Sequence, residues 1–183
     1  MLNKYHKDNV LTLVDVYKNY EDKIYNHFTE TRYVMSSITN IQLAPEGEKK
    51  IAWAARNMPI LSSIADDFKS ERPFLGLKIT LSVHLEAKTA YLCRVLAMGG
   101  AEMYITGSNP LSTQDDVAAA LVKYYNIPVF GYAGESLEVY SEHVKEALNH
   151  KPQLIIDDGG DLVAEITKNW QHLIPEIIGS TEE

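Results

Sequence analysis

From Arg72 onward the sequence alternates between two rhythms, and that alternation constrains the fold more than any other feature. Residues 75–83, 101–106, 128–130 and 152–156 are short apolar or β-branched runs of strand length. Residues 87–98, 114–125, 136–149 and 162–169 follow them in turn, with apolar positions at helical spacing. Strands separated by helices cannot pair as hairpins, so each must return parallel through a right-handed crossover. The expectation is an α/β fold: a Rossmann-like parallel sheet of four strands with helices on both faces, preceded by N-terminal helices. Gly99-Gly100 supplies the stop for the helix over 87–98.

The preceding region reads as helical. Val10, Leu13, Val14, Tyr17, Tyr20, Ile24 and Phe28 recur every three or four residues, an amphipathic stripe over 10–28. Thr39 to Pro45 is expected to be a loop punctuated by Pro45-Glu46-Gly47. A second helix is expected from Glu48 to Lys69, kinked or divided at Pro59. No internal repeat or linker interrupts the chain.

Several function classes fall away on composition. A net charge of −8 provides no basic field for nucleic acid. No apolar run is long enough to cross a membrane, and the start lacks a signal core. The single cysteine, Cys93, cannot form an internal disulfide and sits in an apolar helical run as expected core filler. A cytoplasmic protein is expected.

In open parallel sheets ligands collect at the carboxyl ends of the strands. Those ends carry Ser82-Val83-His84, Thr106-Gly107-Ser108-Asn109-Pro110, Gly131-Tyr132 and Asp157-Asp158-Gly159-Gly160-Asp161. A histidine, an amide and an acidic turn therefore share one rim. His84 has the side chain best suited to proton transfer near neutral pH, with a structural role as the alternative. The other histidines (His6, His27, His143, His150 and His172) are expected at the surface. In the acidic turn, paired glycines let the backbone close on a ligand; the alternative is a helix N-cap by Asp158 or Asp161. Ser112 to Asp116 reads as another N-cap region, whose hydroxyls and amide could also hold a polar ligand. Gly131-Tyr132-Ala133-Gly134 lacks the dinucleotide-loop spacing and reads as a turn. Neither metal-ligand spacing nor a nucleophile triad can be assembled.

Several long segments, in order, resemble the S-adenosylhomocysteine hydrolase family. They are Leu43 to Gly47, Met58 to Leu61, Ser82 to Ala90, Gly107 to Asp116, Asp157 to Leu162 and Gly179 to Glu183. The likeness runs from residue 41 to 183, with residues 1–40 a helical extension, and favours archaeal-type, S-inosylhomocysteine-hydrolase-like members. By resemblance, residues 41–183 are the substrate-binding domain. His84 matches the residue that moves a proton near C5′, and Asp158 the aspartate that assists it. Glu183 matches the glutamate on the ribose hydroxyls, while Glu86, Lys88 and Gln114 match positions lining the base pocket. Many members have threonine and glutamate at the Glu86 and Lys88 positions. Lysine only donates, so Lys88 is expected to favour a 6-oxo base, with a lysine that simply faces solvent as the alternative.

The family oxidises the ribose 3′-hydroxyl with bound NAD, eliminates homocysteine, adds water and reduces the ketone again. The lysine, aspartate and GxGxxG segment of its NAD domain do not occur in this sequence. The chain alone is therefore expected to bind no NAD and not to turn over. Three functions are compatible with these residues. One is the substrate-binding portion of a hydrolase acting on a nucleoside thioether, with NAD supplied by another chain. Another is a stand-alone binding module for such a ligand. The last is an NAD-independent acid–base enzyme using His84, Asp158 and Glu183. A face normally covered by a second domain is expected to favour homo-oligomers.

Overall fold

The computed structural model describes residues 36–183, and the amphipathic stripe over 10–28, His6 and His27 lie outside them. In chain order the elements are α1 (Ala44–Asn57), α2 (Pro59–Glu71), β1 (Lys78–Ser82), α3 (Ala87–Met98), β2 (Glu102–Thr106) and α4 (Asp115–Tyr125). There follow β3 (Val129–Phe130), α5 (Leu137–Leu148), β4 (Leu154–Asp157), α6 (Asp161–Asn169) and β5 (Gly179–Glu182). All strands pair in parallel, in the order β3-β2-β1-β4-β5.

The expected α/β sheet with helices on both faces is what forms, with one addition. A fifth strand, β5, extends the sheet beyond β4. Gly179-Ser180-Thr181-Glu182 is small, polar and mostly exposed, so no apolar alternation announces it. Its backbone pairing to β4 alone makes it a strand, with Asp157 opposite Glu182.

The strand order sets the site. Chain progress β1→β2→β3 moves one way across the sheet, and β4→β5 starts again on the other side of β1. Right-handed crossovers then put α3 and α4 on one face and α5 and α6 on the other. The buried side chains divide accordingly. Ile79, Leu81, Met103, Ile105 and Val129 join the helices α1, α3 and α4 in the main core. Ile155 packs with Val144, Leu148, Leu162 and Ile166 on the other face. Between the tips of β1 and β4 the chain directions diverge, leaving the crevice in which such sheets bind ligands.

Local chemistry explains the element boundaries. Pro59 divides the expected long helix into α1 and α2, because its ring cannot accept the preceding helical geometry. The expected loop around Pro45 is instead the first turn of α1, where proline's missing N–H costs nothing. Gly47 lies there because α1 crosses the start of α4 with no room for a side chain. A Cβ would sit 1.8 Å from the Asp116 carbonyl oxygen.

Two surface expectations are corrected. His143 and His150 are buried, at 4% and 6% exposure. The His143 ring bridges Glu135 Oε2 (2.8 Å) and Ser37 Oγ (2.7 Å), so its polar atoms are satisfied inside the fold. Ser37 also pairs with Phe130 beyond the β3 edge. His150 stacks on Tyr104 at 4.0 Å and meets Thr80 Oγ1 at 2.6 Å. Cys93 is fully buried, as expected of core filler, and burial raises its thiol well above the ordinary range.

Candidate functional site

The tips of β1 and β4 are direct neighbours, with Ser82 opposite Asp157. The residues just beyond them, His84 and Asp158, meet across the crevice. His84 Nε2 lies 3.6 Å from Asp158 Oδ2, and the imidazole is half exposed. That contact is too long for a hydrogen bond, and the two side chains face one another across the crevice. Ser108, beyond β2, donates to Asp158 Oδ2 at 2.8 Å. Three consecutive strand tips thus feed one cluster.

The acidic turn sorts its carboxylates by depth. Neither Asp158 nor Asp161 caps α6; the N-cap is Gly160, in the left-handed region at φ 77°. Capping falls to Asp157 at the end of β4, whose Oδ2 accepts from Val163 N at 3.0 Å and Oδ1 from Asp158 N at 3.2 Å. Burial raises the Asp157 carboxyl above its ordinary value, partly countered by those two N–H donors. Asp161 accepts from the Tyr140 hydroxyl at 2.6 Å, an arrangement that with burial raises the tyrosine. Because these neighbours carry the structural duties, Asp158 is left for the crevice.

The segment expected to open α4 does hold its N-cap, Gln114, but without a side-chain cap. Ser112 Oγ instead meets His84 Nδ1 at 2.6 Å and the Asn109 carbonyl at 3.0 Å. Asn109 Oδ1 turns back to accept from Leu111 N at 2.8 Å, so this amide braces its own loop instead of facing a ligand.

The remaining sequence candidates lie on the segments that follow β1, β2 and β5. Gln114 is tied to the His84 loop by its backbone N–H to Leu85 O (2.9 Å), and its Oε1 accepts from Lys50 at 3.1 Å. Lys50 also pairs with Asp116 at 2.7 Å. Lys88 projects from the first turn of α3, largely exposed, 3.6 Å from Glu86 Oε1. Glu183 follows β5, and its N–H donates to Asp157 O at 3.0 Å, which brings its backbone alongside the acidic turn. Its side chain is exposed. Glu182 Oε1 accepts from Gly159 N at 2.7 Å and stiffens that turn.

Sequence reading gave no role to Ser108 or Lys50 and placed Ser112 in a cap. Ser108 stands at a strand tip, a position that could have marked it. Lys50 lies on α1, and no local pattern connects it to Gln114, 64 positions away.

Among the described residues the β1–α3 connection does not suit a dinucleotide. The connection after β1 is Val83-His84-Leu85-Glu86, without the glycine turn that lets a pyrophosphate approach a helix N-terminus. Among the described residues no group of His, Cys, Asp and Glu could hold a metal ion. A cavity of about 400 Å³ opens at the opposite end of the sheet, lined by Glu102, Tyr104, Asn126 and Pro128 among others, away from this chemistry.

Fold and rim together define an α/β domain with His84 and Asp158 facing one another at its switch-point crevice. A family model, S-adenosyl-L-homocysteine hydrolase, matches residues 35–183, and the chain belongs to that family. Similar curated proteins include the adenosylhomocysteinase of Thermosynechococcus vestitus, 49% identical over 150 residues, covering 82% of this chain and 35% of the relative. The adenosylhomocysteinase of Thermococcus kodakarensis is 50% identical over 146 residues, 80% of this chain and 34% of its own length. The S-inosyl-L-homocysteine hydrolase of Methanocaldococcus jannaschii is 48% identical over 149 residues, 81% and 36% respectively. The chain spans about a third of the length of these relatives.

Proposed function

We propose that residues 41–183 form the substrate-binding portion of a nucleoside-thioether hydrolase acting on S-adenosyl- or S-inosyl-homocysteine. The observation that carries this reading is the meeting of His84 and Asp158, 3.6 Å apart, at the crevice of the sheet. A proton leaving or reaching the ribose side of a thioether would be exchanged with His84 Nε2, and Asp158 would stabilise the charged ring. Glu183 would accept from the ribose hydroxyls beside the acidic turn. Glu86, Lys88 and Gln114 would hold the base.

Lys88 tilts the choice of base. Its ammonium donates and cannot accept, so it complements the carbonyl of a 6-oxo purine and not an exocyclic amine. Glu86 lies 3.6 Å from the largely exposed ammonium. S-inosylhomocysteine is the preferred ligand on this reasoning.

Turnover would need NAD, whose hydride chemistry makes the ribose reactive and for which these residues offer no cradle. A further portion or a partner chain would supply it. A cytoplasmic homo-oligomer completes the reading: Leu154, Ile156 and Phe74 leave one sheet face beside β5 only partly covered. Among the described residues no helix is long and apolar enough to cross a membrane.

Calorimetry on the 183-residue chain with the two thioethers tests the proposal. Binding that weakens in both His84→Asn and Asp158→Asn supports it. Absence of binding to either ligand would leave the NAD-independent acid–base reading to be tried, and a clear adenosyl preference would refute the role given to Lys88.

A further inference from the structure

Resting on the thioether reading of this rim, we propose that Ser112 is a positioning residue that sets the tautomer of His84. The proton is held on Nδ1, and the lone pair is presented at Nε2, the nitrogen that faces Asp158.

The argument is one of counting protons. The Ser112 hydroxyl has a single proton and two close neighbours, the Asn109 carbonyl oxygen at 3.0 Å and His84 Nδ1 at 2.6 Å. A carbonyl oxygen can only accept. If the hydroxyl proton pointed at Nδ1, two oxygens would stand 3.0 Å apart with no proton between them. With the proton directed to Asn109, both contacts become hydrogen bonds, and Nδ1 must be the donor in the second. The carbonyl is itself held in place. Asn109 O also accepts from Ser112 N at 3.1 Å, and Asn109 Oδ1 accepts from Leu111 N at 2.8 Å. The turn is cross-braced over three residues, so Ser112 meets the imidazole from a fixed base.

The consequence lies at the other nitrogen. Nε2 is 3.6 Å from Asp158 Oδ2, beyond hydrogen-bond reach, so the Nδ1–H form forfeits no bond there, and Oδ2 already accepts from Ser108 Oγ at 2.8 Å. A neutral ring with its lone pair at Nε2 can take a proton from a bound ligand. The product is an imidazolium with one N–H on Ser112 and the other directed at the Asp158 carboxylate. Returning that proton restores the starting tautomer. In the opposite tautomer Nε2 already carries a proton and the ring is useless as a base on the crevice side. The pattern is acid, imidazole and hydroxyl in a row, but with the hydroxyl orienting the ring and the carboxylate receiving the charge, the reverse of a nucleophile triad.

Long-range nitrogen–proton NMR on histidine-labelled protein reads the tautomer directly, in wild type, Ser112→Ala and Ser112→Thr. The Nδ1–H form should dominate in wild type and persist in Ser112→Thr, which keeps the hydroxyl. In Ser112→Ala the ratio should move by roughly fivefold toward Nε2–H, the worth of one ordinary hydrogen bond. A dominant Nε2–H form in wild type, or no change in Ser112→Ala, overturns the proposal. The wild-type spectrum decides even if the alanine variant does not fold. Thioether binding to wild type, measured separately, tests the functional reading: a correct tautomer without binding would sink that reading alone.

Discussion

His150 is expected to make this domain acid-labile, and the size of the effect follows from its surroundings. Burial, with the nearby positive Lys78 as a second cause, pushes the imidazole from 6.5 down to about 3. Thr80 Oγ1 spends its proton on the Ala147 carbonyl (2.9 Å), so His150 Nε2 must donate to it (2.6 Å) and the ring sits neutral against Tyr104. Nδ1 is buried without a partner among the described residues, so a second ring proton would find no acceptor there. A base whose folded pKa is depressed contributes stability that is complete above its unfolded value and drains away as pH falls. The window here runs from 6.5 down to about 3. At about 1.4 kcal/mol per pH unit, about 3 kcal/mol is gone by pH ~4, with an upper bound of about 5 kcal/mol over the whole window. Asp157 acts in the opposite sense: its raised carboxyl favours the folded state as pH falls through its folded value. His150→Phe keeps the stack on Tyr104 and leaves Thr80 bonded to Ala147, and Asp157 is common to both proteins. Urea unfolding of wild type and His150→Phe from pH ~7 to pH ~4 isolates the term, because only wild type should lose the roughly 3 kcal/mol. Parallel stability curves for the two proteins across that range would refute the buried-neutral-histidine argument.

Other outcomes follow from the same contacts. Asp157→Ala strips the acceptor from the N–H groups of Val163 and Asp158 and should cost about 2–4 kcal/mol in denaturant unfolding. Gly47→Ala should destabilise by about 1–3 kcal/mol, although alanine is the better helix former, because the new methyl meets the Asp116 carbonyl. Unchanged or raised unfolding midpoints would contradict these packing arguments. Asp158→Asn should leave stability within about 0.5 kcal/mol of wild type, since Asp157 and not Asp158 caps α6. A large loss there would mean the two carboxylates have been assigned the wrong duties.

What the sequence could reveal depended on how far each interaction reaches along the chain. The helices α3 to α6 and the strands β1, β2 and β4 carry their own periodicity, and their order alone implied a parallel sheet with strand tips on one rim. The meeting of His84 and Asp158 was not contained in that order: it requires β4 to pair beside β1, a long-range pairing that no local pattern announces. β5 was hidden because Gly179 to Glu182 has no apolar face and becomes a strand only through pairing with β4. His143 and His150 were misplaced for a similar reason. Their partners, Glu135 and Ser37 for one, Thr80 and Tyr104 for the other, include residues distant in sequence, so no local pattern distinguished them from surface histidines. The capping side chains, though not the position at which α4 begins, were misjudged by one step of geometry. Asp157 reaches Val163 from inside the strand, and Ser112 turns toward His84 instead of its own helix.

The claim on which the account turns is that a nucleoside thioether seats at the tips of β1, β2 and β4. Amide chemical-shift mapping during titration with S-inosylhomocysteine tests it residue by residue. Shifts concentrated at His84, Ser108, Ser112, Asp158 and Gly159, with Glu102 and Asn126 at the far end of the sheet unmoved, are the predicted result. Shifts gathered around Glu102, Tyr104 and Asn126, or the same pattern persisting at full strength in His84→Asn and Asp158→Asn, would contradict it.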